Sequence, residues 1–191
     1  MHLSRHETLA SLPPEWPEDL VPSIRARVLE AGRTIVVLDD DPTGTQTVYG
    51  VPVLTEWSRG SLAELLAEPR PVFYVLTNSR SVPRAQAVAM NREIATNLVH
   101  AARVTGRDFV VVSRSDSTLR GHYPAEVHAL AAALGRPFDG TLVIPFFAEG
   151  GRLTIDDTHY LVEGDDLVPA AETEYARDAA FGYASSNCVP G

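Results

Sequence analysis

The sequence predicts an α/β protein, a three-layer sandwich whose mostly parallel sheet is covered by helices on both faces. Three observations lead there. Short segments that are apolar throughout, Ile35 to Leu38, Val72 to Leu76, Phe109 to Val112 and Leu142 to Ile144, alternate with helical patterns. Strands that are apolar on both sides belong in a sheet buried on both sides, which is the habit of parallel sheets. Right-handed crossovers then bring the C-terminal ends of all strands to one edge, where sheets of this kind bind ligands.

Residues 1–17 are polar and interrupted by prolines, which reads as a loose arm. Leu20, Val21, Ile24, Val28 and Leu29 recur at helical spacing and stop at Gly32, so residues 1–33 form an arm and a helix. Thr34–Leu38 is the first strand, Val51–Leu54 a short second one, and Ser61–Glu68 a short helix. Pro71–Thr77 is a strand. Pro83 opens a long helix, with Ala85, Val88, Ala89, Leu98, Val99 and Ala102 mostly on one face and Gly106 at its close. Asp108–Ser113 is a strand, Tyr123–Leu134 a helix and Thr141–Pro145 a strand. Residues 34–187 make up the main α/β domain. Within it, residues 147–180 are less regular, a lid or appendage with a hairpin around Gly164-Asp165-Asp166.

Bulk properties narrow the partners. The 191-residue chain has a formal net charge of -9, which argues against non-specific nucleic-acid binding. Its one cysteine, Cys188, can form no internal disulfide and has no thiolate partner for a metal site. No apolar run is long enough to span a bilayer, and residues 1–17 lack the order of a secretion signal. The cytoplasm is the expected compartment.

The loops after the strands carry the chemistry. The first reads Asp39-Asp40-Asp41-Pro42-Thr43-Gly44-Thr45-Gln46. Adjacent carboxylates repel, so three at the end of a buried strand imply a partner for them. One reading is a polyol site: carboxylates accept hydroxyl hydrogens, and Thr43, Thr45 and Gln46 complete the cradle. A second is a magnesium-dependent phosphohydrolase of the haloacid-dehalogenase type, with Asp39 as nucleophile and Asp41 as acid and base. A third is a solvated turn closed by an Asx bond. The remaining loops are Thr77-Asn78-Ser79-Arg80-Ser81, the stretch Ser113 to His122 with Arg114, Asp116, Ser117 and Arg120, and Pro145 to Arg152. If all four strands share one sheet, Arg80, Arg114, Arg120 and Arg152 gather on one rim against Asp39, Asp40, Asp41 and Asp116. Guanidinium groups gathered in this way suit an anion. The plain alternatives are a helix cap by Ser117 or Thr118, simple turns at Asp156-Asp157 and Asp165-Asp166, and a structural His159.

Taken together, these loops resemble the four-carbon acid sugar kinase family. The resemblance rests on Asp39 to Gln46, Thr77-Asn78-Ser79-Arg80, Asp116-Ser117-Thr118-Leu119-Arg120-Gly121, Pro145 to Arg152 with His159, and the tail Pro169 to Asp178. It covers about residues 34–187, and Asp116 to Gly121 is its most specific part. The resemblance implies ATP-dependent phosphorylation of sugar acids such as threonate, erythronate or 3-oxo-tetronates. It implies an N-terminal sugar-acid-binding domain and a C-terminal nucleotide-binding domain, with ATP and Mg belonging to the latter. Substrate-binding residues carried over by position are Asp39, Asp40, Thr43, Asn78, Arg80, Arg114, Asp116, Ser117, Arg120, Arg152 and His159, with Asp39 and Asp40 as candidates for the catalytic role.

The sequence departs from the family in reading Asp-Pro-Thr-Gly where many members have Asp-Leu-Thr-Gly, and in placing Arg114 where a lysine is common. It contains no glycine-rich phosphate loop. The expectation is therefore a sugar-acid-binding half without its nucleotide-binding domain, unable to phosphorylate alone and completed by that domain or by a separate polypeptide. A non-catalytic binding module is the other reading, and a homodimer the other assembly considered.

Overall fold

The computed structural model describes residues 2–179 and 182–188, apart from the Thr47 side chain. In chain order the elements are β1 (Leu3–Ser4), α1 (Arg5–Ala10), α2 (Val21–Ala31), β2 (Thr34–Asp39), β3 (Val53–Leu54), α3 (Arg59–Ala67), β4 (Val72–Leu76), α4 (Arg84–Thr105), β5 (Phe109–Arg114), α5 (Ala125–Leu134), β6 (Arg152–Ile155), β7 (Thr158–Glu163) and β8 (Asp166–Pro169). The class is mixed α/β, as the alternation predicts, with a parallel sheet, an antiparallel sheet and helices. The elements fall into two compact units. The expected domain at 34–187 runs through both.

The first unit, Glu18–Ser115 with His122–Phe138, is built on the parallel sheet. Its strand order is β3-β4-β2-β5, with every pairing parallel. Strand β2 lies inside the sheet because its middle, Ile35 to Leu38, is apolar on both faces and can be covered on both: Val36, Val37 and Leu38 are all buried. The core joins Val36, Leu38, Phe73, Val75 and Phe109 of the strands to Leu62 and Leu66 of α3, Ile94, Ala95, Leu98 and Ala101 of α4, and Leu130 and Leu134 of α5. Helix α4 starts after Pro83 and ends at Gly106 in the left-handed region (φ 68°), as the prolines and glycines of the sequence indicate. Helix α2 ends at Gly32 in the same way, yet buries none of its residues.

The second unit comprises the described parts of Met1–Pro17, Asp116–Gly121 and Asp139–Gly191. Its sheet is antiparallel, in the order β1-β8-β7-β6. The segment read as an irregular lid thus contains three paired strands. Asp156 and Asp157 both take positive φ, 47° and 64°, and form the two-residue turn between β6 and β7. This is the hairpin geometry that Asp and Asn tolerate best after Gly, and it confirms the plain turn reading of that pair. Gly164 (φ 64°) turns β7 into β8 where a hairpin is expected.

Two expectations are corrected. Residues 1–17 are not simply a loose arm, because Leu3 and Ser4 pair with Leu167 and Asp166 and a short helix follows. Thr141–Pro145 is not a strand: it forms no ladder, and Leu142 and Ile144 are 90% and 75% exposed. Its three apolar residues lie between Gly140 and Pro145, so the segment is short and its ends disfavour pairing.

Core burial sets a measurable expectation. Leu98 is fully buried on α4. Leu98→Ala should lower unfolding free energy by about 3 kcal/mol through lost transfer energy and a residual cavity, read from urea denaturation. A change below about 1 kcal/mol would mean that the α4 face is not packed as described.

Candidate functional site

The first cluster forms at the C-terminal end of β2. Ladder register sets Asp39 between Leu76 of β4 and Arg114 of β5, so the acid and the arginine are cross-strand partners. Arg114 Nη1 donates to Asp39 Oδ1 at 3.2 Å. Asp39 is 0% exposed, whereas the Arg114 side chain is 31% exposed. The arginine thus pairs with a wholly buried carboxylate while part of its own side chain stays exposed. Asp39 Oδ2 is buried with no hydrogen-bond partner among the described residues.

The backbone secures this arrangement. The Asp39 carbonyl accepts from Thr77 N–H (2.9 Å) and from Thr77 Oγ1–H (2.9 Å). Asp40 N–H donates to the Arg114 carbonyl, and Arg80 N–H donates to the Asp40 carbonyl. Asp41 is almost buried; its Oδ2 pairs with Arg80 Nη1 at 2.9 Å, and its Oδ1 accepts from Thr43 N–H at 3.0 Å. Thr43 and Asn78 are exposed, with Asn78 in the left-handed region at φ 50°. Gly44 closes over the pair. A methyl at that position would lie 2.6 Å from both Arg114 Cζ and Asp39 Oδ1, so only glycine lets the turn settle there.

Burial raises the Asp39 pKa above its ordinary value, and the neighbouring Arg114 offsets this only in part. A carboxyl of that kind holds its proton more readily than a free aspartate, and the unpartnered Oδ2 can accept a hydroxyl hydrogen once it is ionised.

The second cluster lies in the antiparallel unit, around the loop Asp116–Gly121. Asp116 Oδ2 accepts from Thr118 N–H (3.1 Å), the Thr118 hydroxyl, Arg120 N–H (3.3 Å) and Arg120 Nε (3.1 Å), and Oδ1 accepts from Arg120 Nη2 at 3.2 Å. Arg120 Nη1 also reaches Asp178 Oδ2 at 3.4 Å. Burial alone would raise the Asp116 pKa, but the bonds from Arg120 and Thr118 outweigh it and hold the carboxyl below its usual range. The carboxylate is thus the node that folds the loop. Ser117 is half-buried and contributes its carbonyl to His159 Nε2 at 3.0 Å. His159 is 1% exposed, the position of a structural histidine.

Arg152 opens β6 of the antiparallel sheet, so it does not follow a strand of the parallel sheet as expected; that expectation depended on a strand at Thr141–Pro145. Its guanidinium lies 5.7 Å from the Tyr175 ring centre, and that of Arg120 lies 5.3 Å from the same ring. Arg80 and Arg114 thus join Asp39 and Asp41 in one unit, while Asp116, Ser117, Arg120, Arg152 and His159 belong to the other.

Sequence reasoning missed Gly44's packing role, Tyr175, Asp178 and Tyr183, whose hydroxyl donates to the Thr118 carbonyl. Tyr175 and Asp178 lie in the tail quoted for the resemblance. Tyr183 left no signal, because a tyrosine that caps a distant carbonyl has no local pattern.

Two measurements test the first cluster. Gly44→Ala should displace the Asp39–Arg114 pair and cost about 2 kcal/mol or more, the range for overpacking a buried site. Asp39→Asn should gain thermal stability relative to the wild type as pH rises. The native Asp39 pKa is raised, so the stability tied to its protonated form is complete below 3.8 and is lost as pH climbs through the native value. A Tm difference between Asp39→Asn and wild type that stays flat from acid to neutral pH would contradict this.

Comparison with known proteins supplies a family for this geometry. The family model described as "Sugar-binding N-terminal domain" matches residues 35–189. A relative, D-erythronate kinase of Heliobacterium modesticaldum (strain ATCC 51547 / Ice1), is 27% identical over 150 residues, which is 75% of this chain and 32% of that protein. The chain therefore matches about a third of the length of the curated relative. The family match runs from the start of β2 through both clusters, so the buried Asp39–Arg114 pair and the Asp116–Gly121 loop are features of a protein that belongs to the family of sugar-binding N-terminal domains.

Proposed function

We propose that this chain is the substrate-binding domain of an ATP-dependent kinase that acts on four-carbon sugar acids. The observation that carries the reading is the Asp39–Arg114 pair, a wholly buried carboxylate that fixes a partly exposed arginine at the C-terminal edge of a parallel sheet. Arg114 has further N–H donors beyond the one given to Asp39, and Arg80 of the same unit is oriented by Asp41. Two oriented guanidinium groups suit a carboxylate ligand, and the acidic residues beside them suit its hydroxyls. Asp39 itself is covered by Gly44. In this arrangement it acts on a ligand through Arg114, and a hydroxyl would reach Oδ2 only if the Gly44 turn moved.

The Asp116–Gly121 loop contributes to the same ligand class, with Ser117 as its hydroxyl-bearing residue. Asp116 and Arg120 bind each other, so they shape the loop first and touch ligand second. The remaining residues of the resemblance, Asp40, Thr43, Asn78 and Arg152, complete the proposed binding set, while His159, 1% exposed, supports the loop without touching ligand. ATP and Mg belong to the nucleotide-binding part that the family kinases carry. Among the described residues no group of three or more His, Cys, Asp or Glu side chains could hold a metal ion. In this reading the chain binds the sugar acid, and phosphoryl transfer needs that further part, in the same or another polypeptide. Among the described residues no helix is long and apolar enough to cross a membrane; the proposed setting is the cytoplasm.

Isothermal calorimetry of the full chain with D-erythronate and D-threonate tests the proposal. Saturable binding of one or both is expected. Arg114→Met should weaken it at least tenfold and also cost about 3 kcal/mol of stability, because Asp39 would be left buried without its counter-charge. Arg114→Lys should restore much of the stability but less of the affinity, since an ammonium lacks the planar fork. Absence of heat with either acid at millimolar ligand, in a folded chain, would remove the reading.

A further inference from the structure

We infer that His159 is a positioning residue for the Asp116–Gly121 loop, acting as a neutral imidazole that carries its hydrogen on Nε2. The inference rests on the proposed reading that this loop contributes to sugar-acid binding. Its basis is a count of hydrogens along one buried chain of contacts.

His159 sits on β7 opposite Thr154 of β6, and its own N–H donates to the Ser186 carbonyl at 2.8 Å. The ring is therefore anchored by the sheet while its edge meets the loop. Nε2 lies 3.0 Å from the Ser117 carbonyl oxygen, which can only accept, so Nε2 must donate. Nδ1 lies 2.9 Å from Thr154 Oγ1, and Thr154 Oγ1 lies 2.6 Å from the Pro145 carbonyl oxygen.

A threonine hydroxyl has a single hydrogen to give. With a neutral ring, Nδ1 and the Pro145 carbonyl compete for it. With a protonated ring, Nδ1–H donates to Thr154 Oγ1 and the hydroxyl turns wholly to Pro145. Protonation would thus satisfy every contact in the chain, but a buried charge is costly. Desolvation depresses the His159 pKa below 6.5, and the charge of Arg152 adds to this, while the Ser117 carbonyl and the charge of Asp116 oppose it. The charged and titratable groups around the ring are Arg152 from β6, Asp116 from the loop and the Cys188 thiol, 3.8 Å from Thr154 Oγ1. Burial raises the pKa of that thiol.

The bond to Ser117 holds the loop from the sheet side, and the Tyr183 hydroxyl holds the next carbonyl, that of Thr118. Leu119 has φ 63°, a left-handed conformation that such external bonds help to maintain. Losing the histidine bond should therefore alter where Ser117 and Arg120 present their side chains, with no direct contact between ring and ligand.

The test has two arms on the full chain. In the first, histidine labelled with nitrogen-15 is followed by NMR from about pH 8 to about pH 5. The Nε2–H tautomer is expected at neutral pH, with Nδ1 protonating only below 6.5. An Nδ1–H tautomer, or an imidazolium that persists at neutral pH, would overturn the assignment. Thr154→Val retains the Ser117 bond and removes the acceptor for Nδ1–H, so it should lower the titration midpoint further; an unchanged midpoint also counts against it.

The second arm is calorimetry with D-erythronate at neutral pH. His159→Gln, whose amide can stand in for Nε2–H, should stay within about twofold of wild type, and His159→Phe should bind roughly five- to tenfold more weakly, the loss of one hydrogen bond. Equal affinity for His159→Phe and wild type overturns the positioning role. If His159→Phe does not fold, the Thr154→Val titration decides. A wild-type chain that binds no sugar acid defeats the functional reading alone, because the tautomer and titration still judge the proton assignment.

Discussion

A carboxylate at the end of the central strand has no water to solvate it, and the first unit is arranged around that fact. Asp39 is held between β4 and β5, where the parallel register sets Arg114 directly across from it. An ionised acid in such a place costs several kcal/mol unless it is paired and hydrogen-bonded. The pairing in turn sets the turn that follows, because only a residue without a side chain can lie against the two groups, and Gly44 is that residue. The Thr77 and Asn78 amides on the neighbouring strand end complete the cover by donating to the Asp39 carbonyl. One ion pair thus links three strand ends and fixes a partly exposed arginine there.

The two buried aspartates show how partner count decides ionisation. Asp39 and Asp116 are both buried, and burial pushes both pKa values up. Asp116 collects bonds from Thr118 and Arg120, and its pKa falls. Asp39 has Arg114 and one long bond from the Asp41 amide, with no partner for Oδ2 among the described residues, and its pKa rises. The first is satisfied by its own loop and serves as scaffold. The second retains acceptor capacity. In the proposed reading the two serve differently: Asp116 fixes a loop, and Asp39, covered by Gly44, orients an arginine.

In the proposed reading the chain recognises a small anion without a strongly basic surface, and the pairing of its arginines accounts for this. The chain carries a formal net charge of -9. Three arginines of the clusters have acidic partners that orient them: Arg114 with Asp39, Arg80 with Asp41, and Arg120 with Asp116 and Asp178. Recognition then depends on donor direction rather than on net attraction, which suits ligands that differ in the placement of hydroxyl groups.

Much of the parallel sheet was legible in residue patterns. Continuous apolar runs marked β2, β4 and β5, while Pro83, Gly106 and Gly32 marked helix ends, because these signals depend on backbone sterics and on period alone. The same reasoning failed at Thr141–Pro145, where three apolar residues resemble a strand but strand formation needs a partner, and pairing is not local. It also placed Arg152 on the wrong sheet for that reason. The acidic and arginine-bearing loops were visible as types. What the sequence by itself determined was the set of groups: three carboxylates at a strand end, arginines in the loops, and a motif that marks the family. Tertiary structure decided which of them meet. Register chose Arg114 for Asp39, the loop turned Asp116 inward onto Arg120, and the hairpin closed His159 away from solvent, because burial and hydrogen-bond partners arise only when distant segments come together.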